Sequence, residues 1–175
     1  MKWLKTLMGG LLFVVTGCAS QSIDHYEGTK PKLDLRSYLN GDLEAWGVLH
    51  GRDGAVKRSF VITMKASWKG NVGTLKENFV FDDGEKSERI WTITFTDDVN
   101  FTASAHDVVG IGKGSQKGNT ANMNYVLRVP VDGKEYDISM NDWLHLVDDK
   151  RLINRTIMKK FGVTVGTLSI GFVKK

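Results

Sequence analysis

The sequence predicts an all-β protein: a single antiparallel up-and-down barrel with about eight or nine strands, following a cleaved signal peptide. Three observations predict it. Turn signals recur at near-regular intervals from Gly41 onward. The runs between them are rich in Val, Ile, Thr, Phe, Tyr and Trp and alternate with period two, as half-buried strands do. No stretch of about 12 residues carries the apolar stripe of a helix. Long strands that follow one another in sequence form a meander, and a meander of this length tends to close and so remove its edges.

The N-terminus has its own logic. Lys2 and Lys5 make a basic start, and Leu7 to Val15 (LMGGLLFVV) is an apolar run of nine residues. A bilayer span needs about 20, so residues 1–17 read as an export signal rather than a membrane helix. The adjacent Gly9 and Gly10 argue against a buried helix of the mature fold. Val15-Thr16-Gly17-Cys18 resembles the lipobox of bacterial lipoproteins. In that class the cut precedes the cysteine, which then carries the lipid. Cys18 is the only cysteine, so the domain is expected to hold together by packing without disulfides. Several acyl chains hold a protein stably where one does not. Ala19-Ser20 after the cysteine resembles the outer-membrane class, which implies the periplasmic face of the outer membrane of a Gram-negative bacterium.

Three segments follow: a signal over 1–17, a lipidated Cys18 with a polar tether over 18–40, and a barrel over 41–175. Ser20 to Lys32 (SQSIDHYEGTKPK) reads as tether, able to reach roughly 40 Å when extended. Leu33 to Gly41 (LDLRSYLNG) is expected to make a short helical turn that plugs or leads into the barrel.

In the body, turns are expected at Gly51–Gly54, Gly70-Asn71, Asp82-Asp83-Gly84, Asp97-Asp98, Gly110–Gly118, Asp132-Gly133, Asp148-Asp149 and Gly162, joining nine strands. Two hairpins can be placed in register. A three-residue Asp82-Asp83-Gly84 loop pairs Phe81 with Glu85. Phe79 then faces Ser87, Glu77 faces Arg89 and Leu75 faces Trp91. That face is apolar and reads as interior, which makes Glu77 and Arg89 an opposed pair among aromatics. A two-residue Asp132-Gly133 turn pairs Val131 with Lys134, so Leu127 faces Ile138 and Tyr125 faces Met140. Continued alternation puts Asp142 on the same inner face, whereas Arg128 and Asp137 fall outside, where an ion pair contributes little. Alternation through Phe101, Ala103 and Ala105 turns Asp107 inward as well.

Charge excludes one class of function. The chain has 24 basic and 20 acidic residues. Without Lys2 and Lys5 the balance is 22 against 20, and no basic stripe remains apart from Lys174-Lys175, so no nucleic acid is expected as partner. Gly110-Ile111-Gly112-Lys113-Gly114 lacks the spacing of a phosphate loop and reads as a hairpin tip. His25, His50, His106 and His145 have no ligand-spaced partners, so neither metal nor cofactor is expected. His106-Asp107 forms no hydrolytic machinery, since no nucleophile elbow accompanies it. The sequons Asn100-Phe101-Thr102 and Asn154-Arg155-Thr156 carry no weight in a bacterial lipoprotein.

Glu77, Arg89, Asp107, Asp142 and Trp91 are therefore the candidate site. They read either as a polar cluster orienting a ligand or as a buried network that sets strand register. Burial alone already demands such pairing, which favours the network.

Several stretches resemble one family, the proteobacterial lipoproteins of domain-of-unknown-function family 3833: the lipobox cysteine, Glu77-Asn78-Phe79 before Asp83-Gly84, Arg89-Ile90-Trp91, Asp107-Val108-Val109-Gly110, Gly118-Asn119-Thr120-Ala121, Asn141-Asp142-Trp143 and Lys160-Phe161-Gly162-Val163. Thr120 is a small departure. The resemblance implies a lipocalin-like barrel. Members often accompany genes of fatty-acid modification, which implies a lipid or other apolar ligand, such as a fatty acyl chain. The leading expectation is a membrane-anchored periplasmic lipoprotein that binds an apolar ligand in its barrel. The alternative is a structural or envelope-maintenance lipoprotein with a filled barrel and a protein partner. No nucleophile or base pair is legible, and no enzymatic activity is expected.

Overall fold

The computed structural model describes residues 21–175. The signal over 1–17 and the lipidation site Cys18 lie outside the described residues. Ten strands follow one another around a closed antiparallel barrel. They are β1 (Gly41–Gly51), β2 (Val56–Lys69), β3 (Val72–Phe81), β4 (Lys86–Phe95), β5 (Asn100–Ser104), β6 (Gly112–Lys117), β7 (Thr120–Val131), β8 (Lys134–Leu146), β9 (Arg151–Lys160) and β10 (Val163–Lys174). Pairing of β10 with β1, from Leu43 opposite Lys174 to Gly51 opposite Gly166, closes the ring. Among the described residues no long edge is left to recruit another chain.

Both hairpin registers hold residue for residue. Leu75, Glu77 and Phe79 face Trp91, Arg89 and Ser87, and Phe81 N–H donates to the Glu85 carbonyl at 2.9 Å. Tyr125, Leu127 and Val129 face Met140, Ile138 and Tyr136. The burial pattern alternates along β2 and β3 as a one-sided strand requires.

The strand count differs from the expected nine at one place. Gly110–Gly118 is not a single hairpin tip: residues 105–111 form a loop, β6 follows, and Gly118-Asn119 turns into β7. The inward positions of β6 are Gly112, Gly114 and Gln116, so the strand has no apolar signature. Glycine is needed there because neighbouring strands have filled the space. A Cβ on Gly114 would lie 2.3 Å from the Phe101 ring. These glycines mark close packing against a strand rather than a flexible loop.

One end of the barrel is plugged. The short helix α1 (Leu35–Tyr38) is capped by Asp34, whose side chain accepts from the Arg36 N–H. Leu33, Leu35, Tyr38 and Leu39 are all buried, each such side chain adding about 1.5–3 kcal/mol of apolar burial. Polar contacts lock the plug at both sides. Trp68 Nε1 donates to the Leu39 carbonyl at 2.6 Å, and the Leu35 N–H donates to Gln116 Oε1 at 3.0 Å.

The stretch read as a tether is docked instead. A 3-10 turn, Ile23–Tyr26, lies against β6 and β7. Tyr26 packs on Trp143 and His145 with ring centroids 5.9 and 5.2 Å away, and Lys117 pairs with Asp24 at 2.6 Å. Gly118 makes this contact possible: its φ is +54°, and a Cβ would fall 1.8 Å from the Tyr26 carbonyl oxygen. The single apolar-aromatic residue of a polar stretch finds an aromatic platform, which alternation along the strands could not reveal. From Gln21 onward this segment adds no 40 Å reach.

Candidate functional site

A cavity of about 320 Å³ runs through the barrel interior from Leu35 and Leu39 of the plug toward Leu49, Arg58 and Met158 near the opposite end. Its walls are mostly apolar, with Phe79, Trp91, Ala103 and Met140 among them. Arg58 and one central polar cluster break that wall; of the residues singled out in the sequence, Glu77, Arg89, Trp91 and Asp142 line the cavity, and Asp107 joins them through Arg89.

Arg89 is its centre. Nη2 donates to Asp107 Oδ2 at 2.8 Å, and Nε donates to Oδ2 and Oδ1 at 2.9 and 3.1 Å. Nη1 lies 3.8 Å from Glu77 Oε2, which also accepts from Trp91 Nε1 at 3.1 Å. The guanidinium sits 5.5 Å from the Phe79 ring and 5.7 Å from that of Trp91, near enough for cation–π attraction. Burial works against the Arg89 charge, but the Asp107 hydrogen bonds and the Glu77 carboxyl outweigh it, so its pKa rises.

Asp107 reaches this place by a different route from the one expected. It is not on β5, which ends at Ser104. The loop after β5 folds over so that Val108 bridges Leu127 and the Asp107 carbonyl accepts from the Arg128 N–H at 2.8 Å. Asp142, from β8, faces inward as expected and accepts a hydrogen bond from the Thr156 hydroxyl. Trp91 and Tyr125 meet edge to face, with centroids 5.3 Å apart.

Burial pushes the Glu77 carboxyl up to about 7, against the pull of Arg89 and the Trp91 indole. It pushes Asp142 up to about 6, against hydrogen bonds from Thr156 and Tyr125 and the charge of Arg89. Burial also raises the Tyr125 hydroxyl well above its ordinary value, helped by the Asp142 charge. Two carboxyls on a cavity wall thus titrate near neutrality.

Three participants were not in the sequence-derived set: Tyr125, Asn154 and Thr156. Asn154 and Thr156 are 3% and 1% exposed, and they share the inner face of β9 with Leu152 and Met158. Alternation along Leu152-Asn154-Thr156-Met158 was the available signal.

The family model for proteins of unknown function, DUF3833, matches residues 12–174. The chain belongs to the DUF3833 family. No curated protein matches this DUF3833 chain. Among solved structures it is similar to the S-type phycobiliprotein lyase CPES from Guillardia theta, with a TM-score of 0.60 and 8% identity over 83% of this chain and 94% of that one. At that identity the likeness concerns the fold, a lipocalin-like barrel. It nevertheless corrects one expectation. The DUF3833 chain was read as having no enzymatic activity, yet a lyase is built on the same barrel, so the architecture gives no ground for that exclusion.

Proposed function

We propose that this protein is a lipoprotein, anchored through Cys18 at the periplasmic face of the outer membrane, whose barrel takes up a slender apolar or lipid-like ligand. The observation that carries the binding half is the cavity: an apolar interior of about 320 Å³ with one convergent polar cluster. Ligand sites are mostly apolar with a few placed polar groups, and this volume lies at the lower end of their range. The anchoring half rests on the charged start, the short apolar run and the lipobox-like Val15-Thr16-Gly17-Cys18.

Each half has its own test. Delipidated protein is titrated with the neutral apolar dye N-phenyl-1-naphthylamine, and the titration is repeated on Ala103→Trp, which fills the cavity from its 2% exposed position on β5. Saturable binding lost in the variant supports a ligand-binding barrel. Dye binding that is absent, or unchanged by the blocking tryptophan, refutes it. For the anchor, Cys18→Ser is expected to abolish palmitate labelling and to move the protein out of the membrane fraction. Retention of either sinks that half alone.

The raised Glu77 and Asp142 carboxyls favour a second reading, proton transfer on the bound ligand. It requires that Glu77→Gln retain dye binding while abolishing any chemical change, followed by mass spectrometry, in lipid that co-purifies with the protein.

A further inference from the structure

The polar cluster carries a statement about which end group the cavity accepts. Most of its donors are turned toward the protein's own acceptors. Arg89 gives Nε and Nη2 to Asp107 and points Nη1 at Glu77. Trp91 gives its indole N–H to Glu77. The Thr156 hydroxyl donates to Asp142, and Asn154 Nδ2 faces the Trp143 carbonyl at 3.4 Å. Acceptors, by contrast, are in surplus. Asp107 and Glu77 flank one guanidinium, and a third carboxyl, Asp142, belongs to the same cluster. A carboxylate offers about four acceptor positions, and both contacts to Glu77 fall on Oε2, so Oε1 has no donor among the described residues.

Resting on the cavity-binding reading above, we infer that the ligand is an apolar chain whose polar end is a hydrogen-bond donor, an alcohol or an amine, and not a fatty-acid carboxylate. A donor would complete Glu77 Oε1 without displacing any existing bond. A carboxylate would add a fourth carboxyl beside Glu77, Asp107 and Asp142, with only Arg89 Nη1, itself 3.8 Å from Glu77 Oε2, left in the cluster to meet it, and a poorly paired charge in such a place is costly. The one other guanidinium on the cavity wall lies away from this cluster. Arg58 Nη2 is held at the far end by Asp83 at 2.8 Å and Glu85 at 2.6 Å, although its Nε is buried without a partner. The ligand is also short. At roughly 30 Å³ per water-sized group a chain of about ten heavy atoms would fill the cavity.

The test compares three probes of equal chain length, 1-decanol, decylamine and decanoate, by isothermal titration calorimetry on the full-length delipidated protein at pH 8. Decanol and decylamine are expected to bind with a Kd about tenfold or more below that of decanoate, a preference of about 1.4 kcal/mol. Glu77→Gln, which places a donor beside the former acceptor, is expected to narrow the preference to about threefold or less, and Asp142→Asn is an independent variant in the same cluster. Decanoate binding as tightly as decanol, whether at Arg58 or elsewhere, overturns the end-group inference and leaves the binding cavity standing. A preference unchanged in both variants overturns the assignment to this cluster. If none of the three probes saturates, the binding reading itself falls, and this inference falls with it.

Discussion

Arg89 and Asp107 are joined by three hydrogen bonds of 2.8 to 3.1 Å inside the barrel, one residue from β4 and one from the loop after β5. The contact ties that loop over the interior, and Glu77 shares the same guanidinium from β3. Removing Arg89 would strand two carboxyls in an apolar setting. Arg89→Ala is therefore expected to cost roughly 3–5 kcal/mol. Arg128 is a control of the same residue type, paired with Asp137 at 2.8 Å on the outside, where both side chains are nearly half exposed. Arg128→Ala should leave the denaturation midpoint almost unchanged. Urea unfolding of the two variants checks this, and equal losses would contradict the interior placement.

Stability should fall as pH rises through the neutral range. The folded pKa of Glu77 is raised from 4.5 to about 7 and that of Asp142 from 3.8 to about 6. Between the unfolded and folded values the native state binds more protons than the unfolded chain, so each carboxyl's contribution is full below its unfolded pKa and lost as pH passes its folded one. For Glu77 that window runs from about 4.5 to 7, and the loss is of the order of 3 kcal/mol. Urea unfolding at pH 4.5 to 8 should show the decline, and Glu77→Gln should flatten its upper part whatever the variant's absolute stability.

The plug is expected to be a structural necessity as well as a cavity wall. Leu35 is 3% exposed and borders the cavity. Leu35→Ala should destabilise by roughly 2–5 kcal/mol. The same truncation enlarges the cavity, so the variant should shift the chain-length preference toward probes longer than decanol. A variant that melts lower but keeps the native chain-length preference would contradict this placement of the plug.

One turn should be improvable. Phe161 has φ +50° and is followed by Gly162 at +79°, the paired left-handed conformation in which Asn-Gly or Asp-Gly is favoured. Asp132-Gly133 fills the equivalent turn between β7 and β8 in that preferred way. Phe161 is 94% exposed, so little is lost by replacing it. Phe161→Asn is expected to stabilise by about 1 kcal/mol, a rise of about 2–4 °C in Tm for a chain of this size. A lower Tm would show that the ring makes contacts that offset the strained backbone.

Local chemistry determined much of this protein from sequence alone. Period-two alternation fixes which side chains face inward, and Asp-Gly turns fix register, so the Glu77–Arg89 pair and the inward Asp142 were readable by counting outward from two turns. Both signals act over a few residues of one hairpin, and no partner element can overrule them once a face is buried. What lay beyond reach depended on side chains from elsewhere in the ring. Gly112 and Gly114 sit in a strand because Phe101 and Tyr125, from neighbouring strands, occupy the volume their own side chains would need. Ser20 to Lys32 reads as solvent-exposed tether by composition, yet Tyr26 docks on Trp143 and His145, more than a hundred residues away along the chain. Asp107 meets Arg89 through a loop, to which no periodicity applies. The surplus of acceptors over donors emerges only where six elements converge on one cavity, because hydrogen-bond satisfaction is a property of the assembled neighbourhood and not of any one strand.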